Sequence, residues 1–280
     1  VPAYNEGKNI ARVLDVLKTY PYFDEIIIVN DGSKDNTAKV AGRYANSKIR
    51  LINHKHNKGK TAAILTGIKA SKGNMTVMID ADLINLQHKN INKMIYLVLS
   101  KKYDLAILDR EGDRQAVWGW TNCARLFGGE RCFWKKDFNK VKLPENAGYL
   151  IETIMNLHYI SHHKKIRTIY CKNLFNLHKH HKEGFVQGCK DYYDVGKKIV
   201  RHAGVRGFIK MINNIEDDRK PKKSKVKKAG RIKNIQKATT EYITNFKKKE
   251  YLKNITEKIR SNSASYWNSI KRKVKKSGSK

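Results

Sequence analysis

The sequence predicts an α/β protein with a mostly parallel sheet flanked by helices, followed by a basic, mainly helical C-terminal extension. Three observations predict it. Short continuous apolar runs, Glu25–Asn30 and Met75–Ile79, have the character of strands buried on both faces. Polar turns and stretches with helical spacing alternate with these runs, as right-handed crossovers between parallel strands require. The polar clusters Tyr4-Asn5-Glu6, Asp31-Gly32-Ser33 and Asp80-Ala81-Asp82 fall at the C-terminal tips of the expected strands. Open parallel sheets bind their ligands at those tips.

The elements follow in order. Val1 to Gly7 reads as a strand end breaking into a polar turn, and we expect this first strand to be truncated. A helix follows from about Lys8 to Thr19, then the strand Glu25–Asn30. Asp31 to Thr37 reads as a turn in which Asp35, Ser33 and Thr37 serve as turn and cap residues. Ile49–Ile52 is the next strand, Asn57 to Ser71 a turn and helix, and Met75–Ile79 a strand. Asn90–Leu99 carries apolar residues near helical spacing, and Tyr103–Leu108 reads as a strand. Residues 109–115 read as a charged loop, Trp118–Phe127 and Gly148–His163 as helices, Lys165–Tyr170 as a strand, and Lys182–Ala203 as a helical run. A break near Asn213 divides a domain at 1–212 from a basic linker and extension at 213–280. Within the domain, 1–110 forms one half and 111–212 the other.

Composition narrows the class. The chain holds 59 Lys and Arg against 25 Asp and Glu, a formal charge of +34, which favours anionic partners. Residues 219–280 carry 22 Lys and Arg and three Glu, a net +19. Tyr242, Ile243, Phe246, Tyr251, Leu252, Ile255 and Ile259 recur between those lysines at helical steps. This is the pattern of a basic amphipathic helix for an anionic membrane surface, or of a helix packed back on the domain. Nucleic acid is the competing polyanion. Cys123, Cys132, Cys171 and Cys189 show no C-x-x-C spacing, so reduced thiols and a cytoplasmic setting, peripheral to the inner face of a membrane, are expected. No stretch reaches eighteen apolar residues and no signal peptide is visible.

Asp80 and Asp82 carry the chemistry. They follow the apolar run at the tip of the expected strand, and strand alternation leaves both carboxylates on one side, facing one divalent cation. Hard oxygen ligands suit Mg²⁺ or Mn²⁺ shared with substrate phosphates. Gly59-Lys60-Thr61 matches the end of a P-loop, but the position five residues before Gly59 is His54, not Gly. No G-x-G-x-x-G follows the first strand, so a dinucleotide-binding reading fails too. A zinc site from His158, His162, His163 and the cluster His178, His180 and His181 lacks a completing Cys or carboxylate pattern.

Pro2-Ala3-Tyr4-Asn5-Glu6, Val29-Asn30-Asp31-Gly32-Ser33-x-Asp35-x-Thr37, Asn57-x-Gly59-Lys60 and Asp80-Ala81-Asp82 stand in one order at suitable spacing. Together they resemble the nucleotide-sugar half of a family 2 glycosyltransferase with the GT-A fold. The resemblance covers residues 1–110 well and continues less specifically through Gly128-Gly129-Glu130-Arg131 and Glu152 to His178. It implies an inverting, metal-dependent transfer from an NDP-sugar donor. It implies donor contacts at Pro2, Ala3, Tyr4, Glu6 (ribose), Asp31 (base ring N–H), Lys60 (phosphate), Asp80 and Ala81. It implies metal contacts at Asp82 and His178, with His180 in reserve. It places Gly129 and Arg131 at the acceptor. Glu152 is then either the base that deprotonates an acceptor hydroxyl or, with a phosphate acceptor, a residue that orients Arg131 or His178. The acceptor is a polyprenyl phosphate, a small phosphorylated acid or a glycan. Two other classes compete: a catalytically idle domain acting as a basic membrane- or nucleic-acid-binding module, and a sugar-1-phosphate nucleotidyltransferase. The retained acidic set argues against the first. The second wants a Gly-rich, Arg-containing loop where Ala3-Tyr4-Asn5-Glu6-Gly7 stands.

Overall fold

The computed structural model describes residues 1–111, 128–144, 147–176, 202–204, 206–207 and 209–217. The expected strand–helix alternation is present. In chain order the elements are β1 (Pro2–Ala3), α1 (Ile10–Lys18), β2 (Ile26–Asn30), α2 (Thr37–Gly42), β3 (Ile49–Asn53), α3 (Lys60–Ala70), β4 (Met75–Met78), β5 (Leu83–Ile84) and α4 (His88–Leu99). Then come β6 (Leu105–Arg110), β7 (Arg131–Trp134), α5 (Lys135–Phe138), α6 (Ile151–Ser161), β8 (Ile166–Cys171), β9 (Phe175–Asn176) and β10 (Ile215–Asp217).

Strands β1, β2 and β3 form a parallel three-stranded sheet. A five-stranded sheet has the order β10-β8-β6-β7-β4, in which β10, β8 and β6 are parallel and β7 runs antiparallel to both β6 and β4. Strands β5 and β9 pair antiparallel. Helices cover both faces. Ile10, Leu14 and Leu17 of α1 and Ile91, Met94 and Val98 of α4 are buried in one cluster. Ile64 and Ile68 of α3 and Ile151, Met155 and Tyr159 of α6 are buried in a second. Fully burying one such side chain stabilises the fold by about 1.5–3 kcal/mol, so these two stripes anchor their helices.

The structure departs from the sequence reading in four places. Asp109 and Arg110 belong to β6 and are buried, where a charged loop was expected. Arg131–Trp134 is a strand in the middle of the sheet; a buried arginine at its start hides the apolar run that would have marked it. Asp80-Ala81-Asp82 is a turn between β4 and β5, not a strand continuation, so strand alternation does not set the directions of the two carboxylates. The break expected near Asn213 precedes β10, which pairs with β8, so the sheet continues to Asp217. This edge strand is polar and reads as linker, yet Glu216 Oε2 accepts from Arg167 Nη1 at 2.9 Å and from Tyr103 OH at 2.6 Å. The helices expected over 118–127 and 182–203 fall wholly or mostly outside the described residues, as does the extension. Cys132 and Cys171 are buried.

Candidate active site

The topology gathers the site. Because β7 runs opposite to β4 and β6, its N-terminal end meets their C-terminal ends; Arg131 is opposite Met78 on one side and Ile107 on the other. Asp80 after β4, Arg110 at the end of β6 and Glu130 before β7 therefore converge. Helix α3 adds Lys60 from its first turn, and α6 adds Glu152 from its own.

These five side chains form a line of alternating charge. Glu152 Oε1 lies 3.0 Å from Lys60 Nζ, and Lys60 Nζ lies 3.1 Å from Asp80 Oδ1. Asp80 Oδ2 is 3.8 Å from Arg110 Nη1, which lies 3.2 Å from Glu130 Oε1. The ends are the driest: Glu152 is 5% and Glu130 0% exposed, against 18% for Asp80. Burial alone would raise the Asp80 carboxyl, but Lys60 and Arg110 outweigh it and hold it below the usual carboxylate range. Burial would lower the Lys60 ammonium; Asp80 and Glu152 outweigh it and raise it. Lys60, expected to meet phosphate, is thus shared between two carboxylates.

Gly129 explains how close the chain comes here. A Cβ at that position would lie 2.2 Å from Asp80 Oδ2, so only glycine admits the carboxylate. The close approach expected of this glycine is to Asp80. Arg131, expected at the acceptor, is a core strut instead. It is fully buried, and it donates from Nε to the Gly128 carbonyl at 2.8 Å and from Nη1 to Asn156 Oδ1 at 2.7 Å. Burial pushes its pKa down to about 10, against the pull of Glu152 and Glu130, so it stays charged at neutral pH. Glu152 and Asn156, four residues apart, lie on one face of α6. The structure thus puts Glu152 beside Lys60 and within electrostatic reach of Arg131.

The two N-terminal signature blocks bind each other. Asn5 N donates to Ser33 Oγ at 3.0 Å, Lys34 N to Asn5 Oδ1 at 2.9 Å, Glu6 N to Thr37 Oγ1 at 2.8 Å and Gly7 N to Asp35 Oδ2 at 2.9 Å. Asp35 Oδ1 also accepts from Thr37 N at 2.9 Å, as expected of a cap. Glu6 is partly buried and accepts from Asn9 Nδ2 at 2.8 Å. Tyr4, at the tip of β1, is 40% exposed, while Ala3 and Ala81 are buried and Pro2 partly so. Asp31 is buried and clamps the loop that enters α3. Its carboxylate accepts from Lys58 N at 3.0 Å and Gly59 N at 2.8 Å, and His54 Nδ1 lies 2.6 Å away. Three of about four acceptor positions on that carboxylate are therefore used within the protein.

Asp82 is half-buried in the β4–β5 turn. The oxygen chemistry of Asp80 and Asp82 fits a hard divalent cation whose remaining ligands come from phosphate and water. Among the described residues no group of three or more His, Cys, Asp or Glu forms a protein-only cage. His178 and His180 lie outside the described residues. His158 and His162 stack at 4.1 Å at the far end of α6 from Glu152, and His162 Nδ1 sits 2.8 Å from the His158 carbonyl oxygen.

Sequence reasoning missed Arg110 and gave Glu130 no role. The available signal was position: Asp109-Arg110 ends an apolar run, at the kind of strand tip where ligand sites are sought.

Comparison with known proteins gives the same picture. The sequence profile of glycosyl transferase family 2 matches residues 1–157. A dolichyl-phosphate beta-glucosyltransferase of Trichomonas vaginalis is 47% identical over 93 residues, covering 29% of this chain and 28% of that protein. An uncharacterized glycosyltransferase of Synechocystis is 31% identical over 186 residues, covering 62% of this chain and 55% of the other. The matched stretches thus span between about a quarter and just over half of these relatives. The fold is similar to that of the glucosyl-3-phosphoglycerate synthase of Mycobacterium tuberculosis, with a TM-score of 0.56 and 18% identity over 71% of this chain and 78% of that one. With more than half of its length matched by the family profile and a GT-A arrangement of sheet and helices, the chain belongs to glycosyl transferase family 2.

Proposed function

We propose that the chain transfers a sugar, with inversion, from an NDP-sugar to a phosphate-bearing acceptor, with Mg²⁺ or Mn²⁺ bound at Asp82 and Asp80. The observation that carries this reading is the acidic turn after β4, backed by Lys60 and Arg110 at one end of the sheet. In the transfer the acceptor oxygen forms a bond to the anomeric carbon while the bond to the diphosphate oxygen breaks. The cation, when bound, supplies Lewis-acid stabilisation of the departing diphosphate. Asp82 and Asp80 hold it, Tyr4 and Glu6 meet the nucleoside, and Asp31 has one acceptor position left for a base N–H. Thermal-shift screening against UDP-, GDP- and other NDP-sugars, with and without Mn²⁺, tests the donor. A true donor at ~100-fold its Kd stabilises the fold by about 2.7 kcal/mol. No stabilisation by any of them would overturn the reading.

The pairing of Glu152 with Lys60 favours an acceptor that is already an anion. Lys60 Nζ already occupies Glu152 Oε1 at 3.0 Å and Glu152 is only 5% exposed, whereas a phosphate oxygen needs no deprotonation. The dolichyl-phosphate relatives point to the same acceptor chemistry. With polyprenyl phosphate as acceptor, Glu152→Gln is expected to lower kcat by less than ~10-fold, whereas loss of a general base costs roughly 10²-fold or more. A loss of that size, measured with a hydroxyl acceptor, would reinstate Glu152 as the base.

The basic extension, residues 219–280 with net charge +19, suits peripheral contact with an anionic membrane carrying a lipid acceptor. No helix among the described residues is long and apolar enough to cross a membrane. Deleting 219–280 is expected to leave NDP-sugar binding intact and to weaken co-sedimentation with anionic liposomes. That attraction should fade as salt shortens screening to about 8 Å. Equal binding to neutral liposomes would remove the membrane role, and tight salt-sensitive binding to RNA would favour nucleic acid.

A further inference from the structure

Glu130 does not belong to any expected binding set, yet it is fully buried beside the most exposed carboxylate of the charge line. A buried carboxylate is costly unless a cation answers it, and Arg110 does so at 3.2 Å. The same guanidinium nitrogen stands 3.8 Å from Asp80 Oδ2, close enough for electrostatic attraction but beyond hydrogen-bond distance. Arg110 is therefore drawn from two sides and sits nearer to Glu130. Gly129 leaves no side chain between Asp80 and the backbone that carries Glu130, so the three groups form one packed unit.

We infer that Glu130 is a positioning residue of the donor site: it anchors Arg110 so that the guanidinium steadies Asp80 without capping it. The inference rests on the proposed donor site at Asp80 and Asp82. Were Arg110 free to close on Asp80, a bidentate pair would form and occupy the oxygens that the donor's cation needs. Lys60 steadies Asp80 from the other side, and it is itself divided between Asp80 and Glu152. Each cation beside Asp80 is thus held partly away by a second, drier carboxylate.

The test uses two variants of the full chain and titrates UDP by calorimetry with and without Mn²⁺. Glu130→Gln keeps the shape and removes the anchor. It is expected to weaken Mn²⁺-dependent UDP binding by about tenfold, within the coupling range of contacting charged residues, and to leave Mn²⁺-free binding unchanged. The double variant R110Q/E130Q removes the guanidinium as well. It is expected to bind UDP with Mn²⁺ more tightly than Glu130→Gln does, because no guanidinium is left to close on Asp80. A purely structural role predicts equal losses with and without Mn²⁺, and no recovery in the double variant. Either result, or unchanged binding in Glu130→Gln, overturns the inference while leaving the donor site standing. A wild-type chain that binds neither UDP nor any other nucleotide overturns both.

Discussion

Asp82→Asn is expected to lower turnover by roughly 10²-fold or more and to remove the Mn²⁺-dependent part of nucleotide binding. The substitution keeps size and exchanges an anionic oxygen for an amide. A metal acting as a Lewis acid supplies several kcal/mol of charge stabilisation, and each ~1.4 kcal/mol is tenfold in rate. Asp80 already answers Lys60 at 3.1 Å and shares Arg110 with Glu130. Asp82 stands two residues on in the same turn, equally half-buried, and the resemblance to the family gives it the metal contact. The decisive measurement is paired: single-turnover rate and Mn²⁺-dependent UDP affinity in the same preparation. Loss of rate with affinity intact would move Asp82 from the metal to another step. Wild-type values for both would exclude it from the site.

The fold was legible where one physical signal dominates. Ile26–Asn30 is apolar on both faces because helices cover both sides of its sheet, and the sequence carries that as an uninterrupted run. The helix expected from Lys8 to Thr19 matches α1 because Ile10, Val13, Leu14 and Leu17 trace one stripe. Two strands that escaped notice, β7 and β10, carry charge. Arg131 enters a central strand because Asn156, far along the chain, satisfies it together with the nearby Gly128 carbonyl, and Glu216 enters an edge strand through Arg167 and Tyr103. Such compensation is tertiary, and no local window contains it. The same holds for the site. The acidic turn is visible as Asp80-Ala81-Asp82, but the pairing that defines its electrostatics joins residues 60, 80, 110, 130 and 152. Lys60 reads as a phosphate ligand from its place at a helix start; only the fold reveals that two carboxylates claim it first.

That claim makes Lys60→Met the substitution with the largest expected effect on stability. It leaves Glu152, 5% exposed, without the ammonium 3.0 Å away, and leaves Asp80 with Arg110 at 3.8 Å. Removing one partner of a buried ion pair costs about 3–5 kcal/mol, chiefly because the other charge stays buried and uncompensated. The pH dependence follows from the directions of the shifts. Asp80 is held below its unfolded value, so its contribution is present above the ordinary carboxylate range and is lost as pH falls through the lower, folded value. Lys60 is held above its unfolded value, so its contribution is full at neutral pH and is lost only as pH rises through the folded value. At pH 7 both contributions are in force and the methionine variant forfeits both. As pH falls, protonation of the stranded Asp80 relieves the variant, while the wild type keeps its Asp80 contribution down to the ordinary carboxylate range and loses it only below. The gap between them is therefore expected to narrow steadily toward pH 4. Urea unfolding of both proteins at pH 7 and at pH 4–5 measures it. A gap that stays constant with pH would mean that Lys60 contributes through packing of its stem, and a gap near zero at pH 7 would mean that the charge line contributes nothing to the fold.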